Sequence, residues 1–540
     1  MNMKTKYFYK ICVLCSVLTF FGCKNYLTEA EPGVTRLDNY YTSGQAAIEN
    51  VTGCYVPLMW EYNSTYYPEW FIGDVVSDDA LKGGQSYDDM ASVYEMENWK
   101  VNSNNEYLRD FYRAQYQGIA RCNMALTYIP DIEPDAVMTA SLKARLLGEV
   151  HFLRAYYYFR LVRVFGGVPI VTTVQDDSGK WELERSSITD VFALIVADLK
   201  EAEAGLWLRS DLSDEELGRA TKGAAQAMLQ KVYLYMAGPF WSSKLTGELA
   251  NSAKNYVESK AWGQKVIESN QYKLNSNYKT NFILAGENSP ESVFEIQYAE
   301  VNWGDYGSGN GFTAGSFTQI LVRSRSAQIG KGWGFNHPTW NLYNEYEEGD
   351  VRRDTTIFNP PADQMEVENE ETYLGSALLN RKYAMYDEQY GKWTYHHSRG
   401  PLNNKQIRYA DVLLMYAEAC LYTADENSAK QYIDVIRERV GLPTTATNYS
   451  ITINGQTITT PTTEQLLKHE RRMELAMEGH RWFDIVRWGK AKEIMDAYKE
   501  LESVEAKSHM GTFREGVNEL FPIPSEEIEL NPKLTQNYGY

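Results

Sequence analysis

Residues 469–480 read HERRMELAMEGH, which sets two histidines and three glutamates on one short segment. A zinc site of the HExxH type needs its second imidazole four residues after the first, so that both share a helix face. Met473 stands at that place, and His480 lies eleven residues from His469, one beyond the metzincin spacing. The segment reads instead as an amphipathic helix, with Glu470, Glu474 and Glu478 facing Arg471, Arg472 and Arg481 at helical spacings. His396 and His397 are adjacent, so on a strand they point to opposite faces and do not share a metal. No cofactor is expected, with a structural calcium ion left open.

Asp78-Asp79 and Asp88-Asp89 are the acids that glycoside hydrolysis would call on. That chemistry needs two carboxyl groups about 5–9 Å apart, one with a raised pKa, and adjacency in a loop supplies neither. The bland reading is of capping or solvated acids, able to hydrogen-bond sugar hydroxyls without cleaving anything. The run Gly307-Ser308-Gly309-Asn310-Gly311 lacks the strand and helix that flank a phosphate loop, and no GxSxG elbow is present. No residue is nominated as catalytic.

Aromatic residues carry more of the signal, with 40 Tyr, 19 Phe and 13 Trp in 540 residues. Trp60, Tyr66, Tyr67, Trp70 and Trp99 fall in one aperiodic region, and Trp303, Tyr306, Phe312, Trp333, Phe335 and Trp340 in another. Tyr and Trp combine an apolar face with a polar edge, which serves a core and equally serves a wet binding surface. Beside Asn and Asp, such faces offer a pyranose a ring to stack on and partners for its hydroxyls.

The elements that must hold these residues are mostly helices. A helix is expected from near Thr42, with Gln45 completing a capping box. Residues 61–107 are Asp- and Asn-rich, aromatic and aperiodic, and read as long loops. Apolar residues at helical spacing then mark pairs: Leu108 to Leu126 with Leu142 to Leu161, and a helix opened by Ser187 with Ala224 to Tyr235. A further helix is expected over 252–269. Near the C-terminus, Leu413 to Cys420 pairs with Ala429 to Val440, and one last long helix is expected from about 463 to 500. The pairing approaches the roughly 34-residue period of tetratricopeptide repeats in degenerate form. Between the blocks, residues 273–406 are rich in Gly, Asn and aromatics, with a strand-like run at Ser292–Gln297.

The fold class is therefore mostly α: a right-handed array of tetratricopeptide-like helix pairs carrying a large loop-rich insertion with short strands. The expected divisions are a signal peptide at 1–22 and a single domain over 23–540. That domain comprises a tether (24–41), an N-terminal helical part (42–270), the insertion (271–406) and a C-terminal helical part (407–540).

The 72 acids against 53 bases give a net charge of −19, which repels a phosphate backbone and argues against nucleic acid as a partner. Lys4, Lys6 and Lys10 precede an apolar run, Ile11 to Phe21, of signal-peptide length and too short to span a bilayer. Gly22-Cys23 then resembles a lipobox, in which Cys23 is diacylated and becomes the N-terminus. Cys54, Cys122 and Cys420 are widely spaced and odd in number, so they read as small buried apolar residues rather than a disulfide framework.

Four ordered segments resemble the SusD/RagB family: FLRAYYYFRLVRVFGGVPIV (152–171), YADVLLMYAEACL (409–421), HERRMELAMEGHRWFDIVRWG (469–489) and LFPIPSEEIELNP (520–532) with the terminal QNYGY. The resemblance implies a non-enzymatic, lipid-anchored protein of the outer membrane, facing the extracellular side. It further implies capture of oligosaccharides for a SusC/RagA-like TonB-dependent transporter. A peptide-binding, RagB-like nutrient receptor is the alternative, and a glycoside hydrolase is the less favoured one. It also suggests a ligand arc of Asp78, Trp99, Asn102, Tyr306 and Trp333, to which the neighbouring Asn336 is added as a hydrogen-bonding partner.

Overall fold

The computed structural model describes residues 40–61, 68–174, 182–299, 315–326, 331–361, 373–386, 400–447 and 449–540. The signal segment, Cys23 and nearly all of the tether lie outside the described residues. So do Tyr66, Tyr67, Trp303, Tyr306, Phe312, the Gly307–Gly311 run and His396-His397.

The N-terminal block is built of helices that start where a side chain can cap them. α1 (Gly44–Tyr55) begins after Ser43, whose Oγ accepts the Ala46 N–H. The Thr42–Gln45 capping box is not the one used, and Gln45 Nε2 donates to Glu49 instead. After the short α2 (Ala91–Glu97) come α3 (Glu106–Tyr128), α4 (Ala140–Phe165), α5 (Ile188–Gly205), α6 (Lys222–Ala237) and α7 (Ser252–Glu268). Their caps are Asn105, Thr139, Ser187, Thr221 and Asn251, each accepting a backbone N–H of the first turn. From Leu146 to Phe165, α4 is buried almost all round, its Glu149, Arg154, Arg160 and Arg163 included, because it lies between α3 and α5 at the centre of the block.

The region 61–107 is less loop-like than its composition suggests. It contains a π-helical turn (Phe71–Val75), strand β1 (Ala80–Gly83) and α2, and most of it is buried. Its apolar residues cluster without helical or alternating period because tertiary burial, not amphipathicity, holds them.

In the insertion, β2 (Ser292–Ile296) falls where a strand was expected. With β3 (Phe335–Pro338), β4 (Ile357–Phe358), β5 (Leu379–Asn380) and β6 (Asn404–Arg408), it makes three antiparallel two-stranded ribbons: β1–β3, β2–β6 and β4–β5. Short helices α8 (Thr318–Val322), α9 (Trp340–Glu345) and α10 (Val351–Thr356) punctuate it. The Glu61 carboxylate, buried, accepts from the Thr318 backbone N–H at 3.0 Å and from the Ser316 hydroxyl at 2.8 Å, tying the insertion to the scaffold.

The C-terminal block pairs α11 (Tyr409–Tyr422) with α12 (Glu426–Arg439). The long helix expected over 463–500 is three: α13 (Thr463–Leu475), α14 (Arg481–Arg487) and α15 (Ala491–Leu501). The break is set by Met477 (φ 63°) and Gly479 (φ 79°), where the chain turns left-handed. A Cβ on Gly73 would sit 2.1 Å from the Gly479 carbonyl oxygen, so the break docks against the π-helical turn. Short helices α16 (Val504–His509) and α17 (Ser525–Leu530) follow.

The two blocks share one core. Gln230 Nε2 on α6 donates to the Val412 carbonyl at 3.0 Å, Lys231 pairs with Asp411 at 3.0 Å, and Tyr256 stacks on Tyr422 at 4.6 Å. Nor do Glu470, Arg471 and Glu474 of α13 pair along the helix as their spacing suggests, although Lys468 meets Glu464 at 2.6 Å in its first turns. Glu470 meets Arg437 at 2.9 Å, Glu474 meets Arg408 at 2.8 Å, and Arg471 meets Asp411 and Asp484 at 2.7 and 2.6 Å. Because every residue from His469 to Leu475 is buried, water cannot serve these charges and other elements must.

Candidate functional site

The β1–β3 ribbon runs in the register Ala80↔Pro338, Leu81↔His337 and Gly83↔Phe335. At its Gly83 end the chain turns through two glycines, with φ of 71° and 77° at Gly83 and Gly84. Gly84 donates its N–H to the Gly334 carbonyl at 2.6 Å, and its own carbonyl accepts from the Tyr373 N–H at 2.8 Å. A side chain at either glycine would collide with Gly334 or Phe335, so this close approach fixes where the next residues emerge.

Those next residues, Gln85 to Asp88, are exposed. The loop closes on itself: Asp89 Oδ2 accepts the Gln85 N–H at 2.8 Å, and Ser86 Oγ accepts the Asp89 N–H at 3.3 Å. From below, the buried Lys82 ammonium donates to the carbonyls of Ser86 and Asp89 at 3.0 and 2.7 Å. It also lies 5.5 and 5.6 Å from the ring centres of Phe335 and Tyr373. Burial pulls the Lys82 pKa down to about 8, against the opposing pull of Glu97 and Asp89. Burial likewise lifts Glu97 to about 7, although it accepts the Lys82 backbone N–H.

Around this loop stands a cluster of rings. Tyr87, 42% exposed, meets Tyr94 edge to face at 4.7 Å. Tyr94 shares a 2.8 Å hydrogen bond with His509 Nδ1 on α16. Tyr373 lies 6.4 Å from Tyr94 and 6.1 Å from His509, edge-on to the latter. Lys100 reaches over the Tyr94 ring at 5.7 Å. The result is a rim in which the exposed Tyr87 ring and the polar Gln85 and Asp88 side chains stand over the buried Tyr94, with Tyr373 and His509 half-buried beside them. It can stack on an apolar ring face and hydrogen-bond hydroxyls.

The six residues expected to form the ligand arc are not brought together as one surface. Asp78 is fully buried: Arg481 grips its two oxygens at 2.8 and 2.9 Å, and Arg472 approaches at 3.0 Å. Burial opposes its charge, but these guanidinium groups outweigh it and hold the carboxyl at about 2. Asp79 is equally buried against Arg472, its pKa raised by burial. Neither acid can reach a glycosidic oxygen. Trp99 is 7% exposed, edge-on to Phe513 at 5.4 Å, and belongs to the core. Asn336 is buried with φ 58° and donates to Asp74 at 3.4 Å. These three are corrected to interior positions, because an ion pair, a ring contact and a hydrogen bond to remote residues claim them there. Trp333 is half-buried, edge-on to Phe317 at 5.1 Å, and adjoins the Gly334 end of the ribbon. Asn102 is exposed beyond α2, where its Oδ1 accepts the Asn104 N–H. Tyr306 lies outside the described residues. Sequence reasoning missed Tyr87, Tyr94, Tyr373 and His509. Tyr87 had a signal in the flanking Gly83-Gly84 and Asp88-Asp89, whereas His509, more than four hundred residues away, had none.

A separate groove of about 970 Å3 lies along α3, between Tyr112, Tyr116, Met124, Val171 and Leu530. Its lining is mainly apolar, with the Arg113–Glu527 pair at its edge.

Two family signatures match this architecture. Residues 351–540 match the SusD family, and residues 28–234 match a family described as starch-binding and associating with the outer membrane. The chain belongs to the SusD family. A SusD-like protein of Formosa agariphila is 26% identical over 98% of each chain. The starch-binding protein SusD of Bacteroides thetaiotaomicron is 25% identical over 75% of this chain and 74% of its own. Among solved structures, a laminarin-binding SusD-like protein is 28% identical with a TM-score of 0.75, covering 93% of this chain and 100% of that one. The helix-pair scaffold is thus the tetratricopeptide-like fold of SusD proteins. No helix among the described residues of this SusD family member is long and apolar enough to cross a membrane.

Proposed function

We propose that this SusD family member is an outer-membrane lipoprotein, anchored through Cys23, that captures oligosaccharides without cleaving them. In this reading it delivers them to a TonB-dependent transporter of the SusC/RagA type. The observation that carries the ligand class is the exposed Tyr87 ring on the turn of the β1–β3 ribbon, backed by the buried Tyr94 and flanked by the half-buried Tyr373 and His509. Trp333 and Asn102 are its candidate flanking contacts. The laminarin-binding relative and the starch-binding family description support the same class. The burial of Asp78 and Asp79 in ion pairs favours binding over hydrolysis.

The test is a glycan and peptide array probed with the full-length mature protein, followed by calorimetry. Oligosaccharide binding is expected, with no reducing ends released over time. Tyr87→Ala should weaken it by roughly tenfold, about 1.4 kcal/mol, with the melting temperature nearly unchanged. Normal glycan affinity in that variant removes the rim from the account. The apolar groove beside Tyr112 and Tyr116 favours a second reading, in which an apolar peptide is the ligand. Binding on the peptide half of the array alone, lost on Tyr116→Ala, would establish it.

A further inference from the structure

Among the described residues Trp340 is the one exposed tryptophan, at 39%. Nothing in the packing requires that exposure, and its edge is nonetheless pinned. Its Nε1–H donates to the Ser376 carbonyl at 3.0 Å, and the Ser376 hydroxyl donates to the Pro338 carbonyl at 2.6 Å. The indole is therefore oriented from one side. Tyr343, one turn along α9, stands edge-on to it at 5.3 Å and 72°. Asn359 Nδ2 donates to the Tyr343 hydroxyl at 3.4 Å, and the Arg353 guanidinium lies 5.0 Å from the Tyr343 ring centre. Beside them, Asn341 and Asn454 face each other at 3.5 Å. Two fixed rings with amides at their margin form a platform of the same chemistry as the rim.

The two platforms flank one ribbon, whose strands are themselves almost wholly buried. Trp340 follows the Ala80↔Pro338 end of the β1–β3 ribbon, and the Tyr87 loop follows the Gly83↔Phe335 end. One short segment also serves both, since Tyr373 belongs to the rim and Ser376 pins Trp340. Four strand residues and three loop residues separate them by on the order of 10–20 Å.

We propose that Trp340 and Tyr343 are a second subsite for the same oligosaccharide, engaged only by chains long enough to extend from the rim along the partly exposed 373–376 segment. This rests on the glycan reading above and adds to it a dependence on chain length. Two linked contacts raise affinity together when one ligand spans them.

The test uses the full-length mature protein in detergent, with laminaribiose, laminarihexaose and laminarin as probes in calorimetry. Trp340→Ala should weaken laminarihexaose and laminarin about tenfold and leave laminaribiose unchanged, while Tyr87→Ala weakens all three. Trp340→Phe, which keeps an aromatic face, should recover most of the loss. Equal affinity of wild type and Trp340→Ala at every length overturns the subsite and leaves the rim standing. An equal loss at all lengths, laminaribiose included, places Trp340 within the rim and also overturns it. If wild type binds none of the three, the glycan reading falls for this polymer and the subsite falls with it. Loss of transporter co-purification with unchanged glycan affinity would reassign Trp340 to a protein contact.

Discussion

Beneath the Tyr87 loop, Lys82 is a cation in place of a core. Its ammonium donates to two loop carbonyls, and its stem is buried beside rings. Hydrogen bonds from a charged donor contribute about 1.5–3 kcal/mol each, so their loss should loosen residues 85–89 before anything else. Lys82→Met keeps the apolar stem and removes the donor. Faster amide exchange at 85–89 and several-fold weaker glycan binding are expected, with little change in melting temperature. The pH profile separates this role from simple packing. The ammonium loses its proton as pH rises through about 8, so wild-type affinity should fall above that pH. In Lys82→Met the affinity should be flat there; a parallel fall in both proteins would assign the effect elsewhere.

At the scale of the element, α13 binds the molecule together through buried charge. Its His469 lies between Glu345 of α9 and Glu347, at 3.4 and 3.3 Å. Burial disfavours the imidazolium, but hydrogen bonds and charge from the two carboxylates push its pKa up to about 9. A raised folded-state pKa means the folded protein holds the proton more tightly than the unfolded chain. This stabilisation is complete below pH 6.5, the unfolded value, and is lost as pH rises through about 9. The shift corresponds to about 3 kcal/mol at its full extent. His469→Gln should therefore lower stability most below pH 6.5, and the difference from wild type should shrink between pH 6.5 and 9. Urea melts at several pH values measure it, and a pH-independent difference would show that His469 does not titrate as argued. The same helix explains why charge spacing misled. Pairs at i,i+4 matter on a solvated face, as Glu464–Lys468 does in the first turns of α13, whereas the charges from Glu470 onward are buried and find partners on α11, α12, α14 and in the insertion.

For the whole molecule, the proposed address depends on Cys23. Wild-type protein expressed in its native host should incorporate labelled palmitate and partition with the outer membrane. Cys23→Ala should do neither, while its soluble body still binds glycan. Labelling that survives the substitution would move the anchor to another residue. Protease accessibility on intact cells tests display on the extracellular side. The fold suits such a tethered role, because the two helical blocks share one core through α6, α7 and α11 and carry the rim on a stiff ribbon.

The sequence by itself determined the scaffold. Helical spacing, capping residues such as Ser187 and Thr221, and stops such as Gly238-Pro239 are local properties of the chain, and the helices they mark formed within a few residues of expectation. The aromatic character of the two interrupting regions was also legible, and Tyr87, Tyr94 and Tyr373 of the proposed rim fall within them, whereas His509 does not. Only the tertiary structure decided which of their residues face water. Asp78, Trp99 and Asn336 look no different in sequence from Asp88, Tyr87 and Asn102, but Arg472, Arg481, Phe513 and Asp74 claim the first three from remote positions. Burial of an aperiodic loop residue is set by partners hundreds of residues away, and no local pattern encodes that meeting.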